Sequence, residues 1–190
     1  MEELVLIVDL EATCWDDHVP GLHRMQTVED MEVIEFGCVV ATLQGEVIDS
    51  RSFLVRPLER PTLSEFCTSL TSITQSDVDQ ADLYPQVIAA MDHWLANYSF
   101  VCWGSWGNYD RNQITVEQNR HQCAPKFFAL PHVNLKTLWR KSNGLSRKAK
   151  SGLLHALEYH QFKFAGAHHR GIDDALNVAR LLPFIDLQAS

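Results

Sequence analysis

The sequence predicts an α/β fold in which a central mixed sheet of five strands carries helices on both faces. Two observations lead to this expectation. Short β-branched and leucine-rich runs open the chain, and later runs of the same kind alternate with helical segments. The 190 residues and the hydrophobic content of 46% fit one compact domain over residues 1–190.

The opening strands form an antiparallel meander. Residues 4–10 are an apolar run that is too short for a helix and fits a buried strand. Residues 31–57 then contain two strands joined at the turn of Gln44 and Gly45. Pro57 and Pro61 end this part of the sheet.

The rest of the chain alternates between helices and strands. Serine and aspartate caps predict two short helices within 62–81, and apolar residues at helical spacing predict an amphipathic helix over 84–98. We expect the further elements to be a strand at 100–103, a helix that begins near Asp110, a short strand and a helix within 127–139, a helix over 151–161 and a final helix over 171–185 that stops near Pro183.

Composition and charge exclude several classes of protein. The five cysteines are widely spaced and form no C-x-x-C pair, which argues against a disulfide framework and a zinc knuckle. No leader-like segment and no apolar run of about 18 residues is present, so we expect a cytoplasmic protein without a membrane partner. The net charge of −8 argues against binding nucleic acid through a general coat of lysine and arginine.

One segment reverses this charge. Residues 136–150, "KTLWRKSNGLSRKAK", carry six cations and no acid, and we call them the basic segment. They form either a solvated helix end and loop or an edge that contacts phosphates, and the sequence favours neither interpretation.

Two carboxylates stand where the first buried strand ends. Asp9 and Glu11 are two residues apart, so in a strand their side chains point to the same face. Their mutual repulsion and burial cost several kcal/mol unless a proton or a cation compensates, and a divalent metal is the natural partner. Alone, the D-x-E pattern also fits acids that merely stop a strand or cap a helix.

Three further residues are candidates for the same site. Asp110 lies at a turn from a strand into a helix, and His169 precedes Asp174 at the start of the final helix. Each has an ordinary structural alternative: Asp110 fits a helix cap, and Asp174 fits an acid favoured by the helix dipole beside a surface histidine.

Taken together, these residues resemble the motifs of the DEDDh 3′-to-5′ exonucleases. Asp9 and Glu11 match the first motif, Asp110 the second, and His169 with Asp174 the H-x(4)-D motif. The stretches "DLEATCW", "EVIEFG", "LSEFCTSLTSITQSDVDQAD" and "HRGIDDALNVARL" resemble one branch in particular, the exonucleases that act on histone mRNA or regulate RNA interference, with their bacterial relatives. The resemblance covers nearly the whole chain, apart from residues 15–31 and 111–133.

The resemblance implies a single exonuclease domain with a ribonuclease-H-like fold and two-metal catalysis. Asp9, Glu11, Asp110 and Asp174 would hold two Mg²⁺ or Mn²⁺ ions on the scissile phosphate, since hard cations prefer oxygen ligands. His169 would be the general base, and the family's spacing selects it and Asp174 over the adjacent His168 and Asp173.

The resemblance also implies how the substrate binds. Main-chain groups of Ala12 and Thr13 would lie near the terminal ribose, and Phe66, Leu70 and Tyr109 would flank the last base, although core packing explains all five equally well. The expected substrate is the 3′ end of single-stranded nucleic acid, with RNA somewhat favoured, hydrolysed from a free 3′ hydroxyl to nucleoside 5′-monophosphates.

Two other functions fit the same residues. One is a regulatory or binding module that keeps the exonuclease fold and acts mainly through a protein partner. The other is a ribonuclease-H-like endonuclease or another metal phosphodiesterase, against which the histidine before Asp174 argues. The oligomeric state, the biological pathway and the choice between RNA and DNA are open at this level.

Overall fold

The computed structural model describes residues 3–187 and contains the expected mixed five-stranded sheet. Its strands are β1 (Leu4–Ala12), β2 (Val33–Thr42), β3 (Val47–Leu54), β4 (Phe100–Ser105) and β5 (His132–Asn134). Their order across the sheet is β3-β2-β1-β4-β5. The first three strands pair antiparallel, whereas β4 and β5 add in parallel. The predicted opening meander is therefore confirmed.

Seven α-helices connect and cover this sheet within the described residues. They are α1 (Glu65–Thr71), α2 (Gln75–Asp79), α3 (Tyr84–Leu95), α4 (Tyr109–His121), α5 (Leu135–Ser142), α6 (Leu153–Tyr159) and α7 (Gly171–Ala179). Short 3₁₀ turns lie at Val28–Asp30, Lys126–Ala129 and Leu182–Phe184. No helix in this part of the chain is long and apolar enough to cross a membrane.

Strand β1 is the centre of the core because both of its faces are covered. Leu6 and Val8 point to one face, where they pack with residues of α3 and α4. Val5 and Ile7 point to the other face and pack with residues of α5, α6 and α7. Asp9 and Glu11 continue the second set, so the alternation of the strand aims both carboxylates at the side that α7 covers.

The final helix is shorter than the sequence predicts. It ends at Ala179 instead of near Pro183, and a 3₁₀ turn that contains Pro183 follows. Proline has no N–H to donate, and its ring collides with the carbonyl four residues earlier, which here is that of Ala179. The α-helix therefore stops one turn before the proline. The amphipathic helix α3 likewise ends at Leu95, before the predicted limit of residue 98.

Two glycines allow α7 to lie directly on the sheet. A Cβ atom on Gly37 of β2 would collide with the main chain of Gly171 at the start of α7. A Cβ atom on Gly171 would lie 2.8 Å from the main-chain oxygen of Asp9. This close approach sets the distance between the acids of β1 and those of the first turn of α7.

Candidate active site

Three carboxylates converge where β1 meets α7. One oxygen from each of Asp9, Glu11 and Asp174 lies within 4.8 Å of the other two. Glu11 and Asp174 are buried, with 8% and 5% of their surface exposed, whereas Asp9 is partly exposed. Acids that are distant in sequence therefore form one cluster at the end of the central strand.

Asp110 is held beside this cluster by the protein. It is the second residue of α4, and its Oδ1 atom accepts a hydrogen bond from the main-chain N–H of Leu10 at 3.0 Å. The hydroxyl of Ser105 lowers the pKa of Asp110; this hydroxyl donates to the carbonyl of Gly107 at 3.1 Å, and its oxygen lies 2.9 Å from Nε2 of His132. Asp110 is not one of the three acids whose oxygens lie within 4.8 Å of one another, but its negative charge raises the pKa of Asp9.

Two histidines border the same cluster. The main-chain N–H of His169 donates to Oδ2 of Asp174 at 2.9 Å, and His169 adopts a left-handed backbone conformation with φ of 65°. The rings of His168 and His169 lie 3.9 Å apart, and Nε2 of His168 is 3.9 Å from Oδ1 of Asp174. The turn before α7 therefore brings both imidazoles to the acids, where the sequence selects only His169.

The acids strongly perturb one another. Burial, and then repulsion from Asp110, Asp174 and Glu11, raises the pKa of Asp9 well above its usual value. Burial, and then repulsion chiefly from Asp174, raises the pKa of Glu11 to about 9. Burial also raises the pKa of Asp174 to about 7. At neutral pH the cluster therefore holds protons unless a cation replaces them.

The pKa of Asp110 and the pKa values of the two histidines shift in opposite directions. Burial raises the pKa of Asp110 to about 6, and the hydrogen bonds from Leu10 and Ser105 oppose this rise. Burial lowers the pKa of both His168 and His169, and for His168 the neighbouring imidazole adds to the effect. Both histidines are thus neutral near pH 7 and able to accept a proton.

Glu35 is a further buried acid at the site to which the sequence analysis assigned no role. It pairs with Glu11 across β1 and β2 and is fully buried. The main-chain N–H of Gly171 donates a hydrogen bond to the Glu35 carboxylate at 2.9 Å, and the hydroxyl of Ser52 donates another at 2.7 Å. Nε of Arg170 lies 3.4 Å from Oε2 of Glu35. Glu35 thereby joins the start of α7 to the sheet. In the sequence, Glu35 and Gly37 are two residues apart on β2, which places the Glu35 side chain on the face that α7 covers.

The acids open into a cleft of about 460 Å³. Four of the five residues that the resemblance assigns to substrate binding line it, namely Ala12, Phe66, Leu70 and Tyr109. Phe66 and Tyr109 expose 36% and 40% of their surface, which leaves part of each ring free for contact. Thr13 lies behind this surface: it is buried, and its N–H donates to the carbonyl of Glu32 at 2.8 Å.

The donor set of the cluster fits a divalent cation. Three carboxylates supply the oxygen ligands that Mg²⁺ and Mn²⁺ prefer. Oδ1 of Asp174 is buried and has no hydrogen-bond partner. Buried polar atoms are normally satisfied, so an oxygen left without a donor beside two other acids fits the position of a metal ligand.

Comparison with protein families gives one match that spans most of the chain. The model of the RNase_T family, described as "Exonuclease", matches residues 6–182. Human 3′-5′ exoribonuclease 1 is 32% identical over 191 aligned residues, which cover 94% of this chain and 51% of the human protein. The chain thus spans about half the length of this relative.

Solved structures of nucleases have the same fold. The nuclease domain of 3′hExo, a DEDDh family member bound to rAMP, superposes with a TM-score of 0.83 at 28% identity, covering 100% of this chain and 94% of that one. A 3′-exonuclease described for its 3′-end-specific recognition of the histone mRNA stem-loop gives a TM-score of 0.82 at 27% identity, covering 96% of this chain and 64% of that one.

Proposed function

The chain belongs to the RNase T-type family of DEDDh exonucleases, and we propose that it is itself a metal-dependent 3′-to-5′ exonuclease. It removes nucleotides from the 3′ end of single-stranded nucleic acid, preferentially RNA, and releases nucleoside 5′-monophosphates. The observation that carries this proposal is the convergence of Asp9, Glu11 and Asp174, with an unpartnered buried oxygen among them.

Asp9, Glu11, Asp110 and Asp174 would hold the Mg²⁺ or Mn²⁺ ions, two per site. When bound, such ions neutralise charge on the scissile phosphate and stabilise the attacking and leaving oxygens. Asp9, Glu11 and Asp174 supply the oxygens that face one another. Asp110 is oriented by the N–H of Leu10, which donates to its Oδ1 atom at 3.0 Å.

His169 acts as the general base in this proposal. Burial lowers the pKa of His169, so the ring is neutral near pH 7 and accepts the proton of the attacking water. The hydrogen bond from its own N–H to Asp174 ties the position of the residue to the acid cluster. His168, whose Nε2 faces Asp174, is the neighbour from which a kinetic test must separate it.

The shape of the cleft and the relatives support this choice of substrate. Phe66 and Tyr109 present partly exposed rings beside the acids, and stacking on aromatic rings accepts any base. The bound rAMP and the histone mRNA stem-loop of the two similar structures favour RNA over DNA.

The deciding experiment incubates the protein with single-stranded RNA and DNA labelled at the 3′ or the 5′ end. Mg²⁺, Mn²⁺ or a chelator is added, and the products are resolved. We expect release of mononucleotides that requires the cation and a free 3′ hydroxyl, with RNA degraded faster. Cleavage of a circular RNA would identify an endonuclease instead.

Matched variants separate catalysis from a binding role. Asp9→Asn should abolish hydrolysis, whereas Asp173→Asn removes the same charge outside the cluster and should retain it. Asp173 accepts a hydrogen bond from the N–H of Ala167 and serves the turn before α7. If wild type and Asp9→Asn are equally inactive toward every substrate but bind the same protein partner, the regulatory-module function replaces the exonuclease.

A further inference from the structure

The basic segment defined above lies beside the cleft. Its first three cations, Lys136, Arg140 and Lys141, belong to α5, and the other three, Arg147, Lys148 and Lys150, follow in the loop before α6. Helix α5 begins immediately after β5, which pairs in parallel with β4. The segment therefore starts at the carboxyl ends of the parallel strands, where β4 also leads toward Asp110.

Specific contacts fix the loop against the wall of the cleft. The indole N–H of Trp106 donates to the carbonyl of Ser151 at 3.0 Å, and both Trp106 and Leu153 line the cleft. Lys150 precedes Ser151 directly, so it lies within about 10 Å of the wall at the length of an extended residue. A guanidinium nitrogen of Arg140 donates to the carbonyl of Arg147 at 2.7 Å, which joins the loop to α5.

Across residues 3–187, none of the six cations forms an ion pair with the protein. Four are exposed, and Lys136 and Arg140 are partly exposed. By contrast, Arg24 is paired with Asp30 and Arg120 with Glu117 elsewhere in the molecule. An unpaired group of cations in a chain of net charge −8 is available to a polyanion.

The walls of the cleft differ in the charge of the chain around them. Phe66 and Leu70 belong to α1, and residues 61–83 around this helix contain no lysine or arginine and four acids. The wall of Trp106 and Leu153, by contrast, continues into the six cations of the basic segment.

We propose that the basic segment is the binding site for the phosphates upstream of the scissile bond. A single strand whose 3′-terminal nucleotide occupies the cleft leaves it over Trp106 and Leu153, and its next phosphates contact the segment. This inference rests on the proposed exonuclease function. It adds a second requirement, a length of strand beyond the last nucleotide, to the recognition of the free 3′ end.

The test compares substrates of different length. The loop triple is Arg147→Gln with Lys148→Gln and Lys150→Gln. Its matched control triple is Arg51→Gln in β3, Arg56→Gln just after β3 and Lys126→Gln in the 3₁₀ turn that follows α4. The control removes the same charge from exposed residues that do not line the cleft. For each protein, kcat/KM is measured on single-stranded RNA of 2 and 16 nucleotides over a range of salt concentrations.

We expect the loop triple to lower the ratio of kcat/KM for the 16-mer to that for the dinucleotide by about tenfold near 0.1 M salt. Its salt dependence on the 16-mer should become shallower by about 2 in a plot of log kcat/KM against log salt concentration, since each lost phosphate contact of a single strand contributes about 0.7. The control triple should change this ratio by less than about twofold.

Two outcomes would overturn the proposal: an unchanged ratio, whether or not activity falls on both lengths, or an equal effect of the control triple. A binding measurement distinguishes a failure of this inference from a failure of the proposed exonuclease function. Fluorescence anisotropy of a labelled 16-mer is measured with Asp9→Asn, with and without the loop triple. Weaker binding by the combined variant supports the path even if wild type hydrolyses nothing, and equal binding rejects it.

Discussion

Changing Asp174 to asparagine should stabilise the cation-free protein. Burial, followed by repulsion from neighbouring acids, raises the pKa of Asp174 from 3.8 to about 7. Between these values the folded state keeps a proton that the unfolded state has released, so the free energy of unfolding falls as the pH rises. At about 1.4 kcal/mol per tenfold change in proton affinity, the full penalty above pH 7 is about 4 kcal/mol.

Asparagine removes this penalty and keeps an acceptor for the N–H of His169. The amide nitrogen can replace Oδ1, the oxygen without a partner, and donate toward Asp9 or Glu11. Because the amide is itself buried, we expect a net gain of about 2 to 4 kcal/mol at pH 8. In a domain of this size that raises the melting temperature on the order of 10 °C. The gain should decline toward pH 4.5, where the wild-type carboxyl is protonated.

The assay is thermal or urea unfolding in a chelator between pH 4.5 and 8, repeated with Mn²⁺ or Mg²⁺. Cation should stabilise wild type by about 2.7 kcal/mol at a hundredfold excess over Kd and stabilise Asp174→Asn much less. Asp173→Asn is the control and should be neutral or slightly destabilising, because it removes an acid from the first turn of α7. A gain equal to that of Asp173→Asn, or one that does not vary with pH, would refute the reasoning.

Two further predictions concern the frame around the acids. Gly37→Ala should destabilise the protein by several kcal/mol and reduce nuclease activity, because the new methyl group collides with the main chain of Gly171. Gly152→Ala is the control: its methyl group would meet no atom within 4 Å, so unfolding and activity assays should show no change in stability or in activity. Ser105→Ala removes the hydroxyl that lowers the pKa of Asp110. It should weaken cation affinity by about 10- to 100-fold, measured by calorimetric titration, while the free energy of unfolding in chelator changes by less than about 2 kcal/mol.

The sequence predicts the sheet well because its signals are local. The apolar run before Asp9 and the turn at Gln44 and Gly45 define the meander, and period-two alternation aims Asp9 and Glu11 at one face. The end of the last helix is less predictable. Pro183 marks the region, but the steric conflict falls on Ala179, one turn earlier.

The proximity of distant residues is beyond local patterns. Nothing in the order of the chain indicates that Glu35 receives the N–H of Gly171, because that contact depends on how closely α7 packs on β2. The orientation of His168 is similar: spacing selects His169, yet the turn before α7 brings both rings to Asp174. Tertiary packing, and not periodicity, determines these two features.

The contrast between Glu35 and Asp174 explains which buried acids a cation would need to compensate. Both belong to the surroundings of Glu11, and both are nearly inaccessible to water. Glu35 receives hydrogen bonds from Gly171, Ser52 and the guanidinium of Arg170, so the protein itself compensates its charge. Asp174 receives one main-chain donor, and its second oxygen has none. Between these two acids, a deficit of protein donors and not burial therefore distinguishes the candidate cation ligand. Replacing Glu35 with glutamine should perturb the packing of α7, whereas replacing Asp174 with asparagine should weaken cation binding and leave the fold more stable.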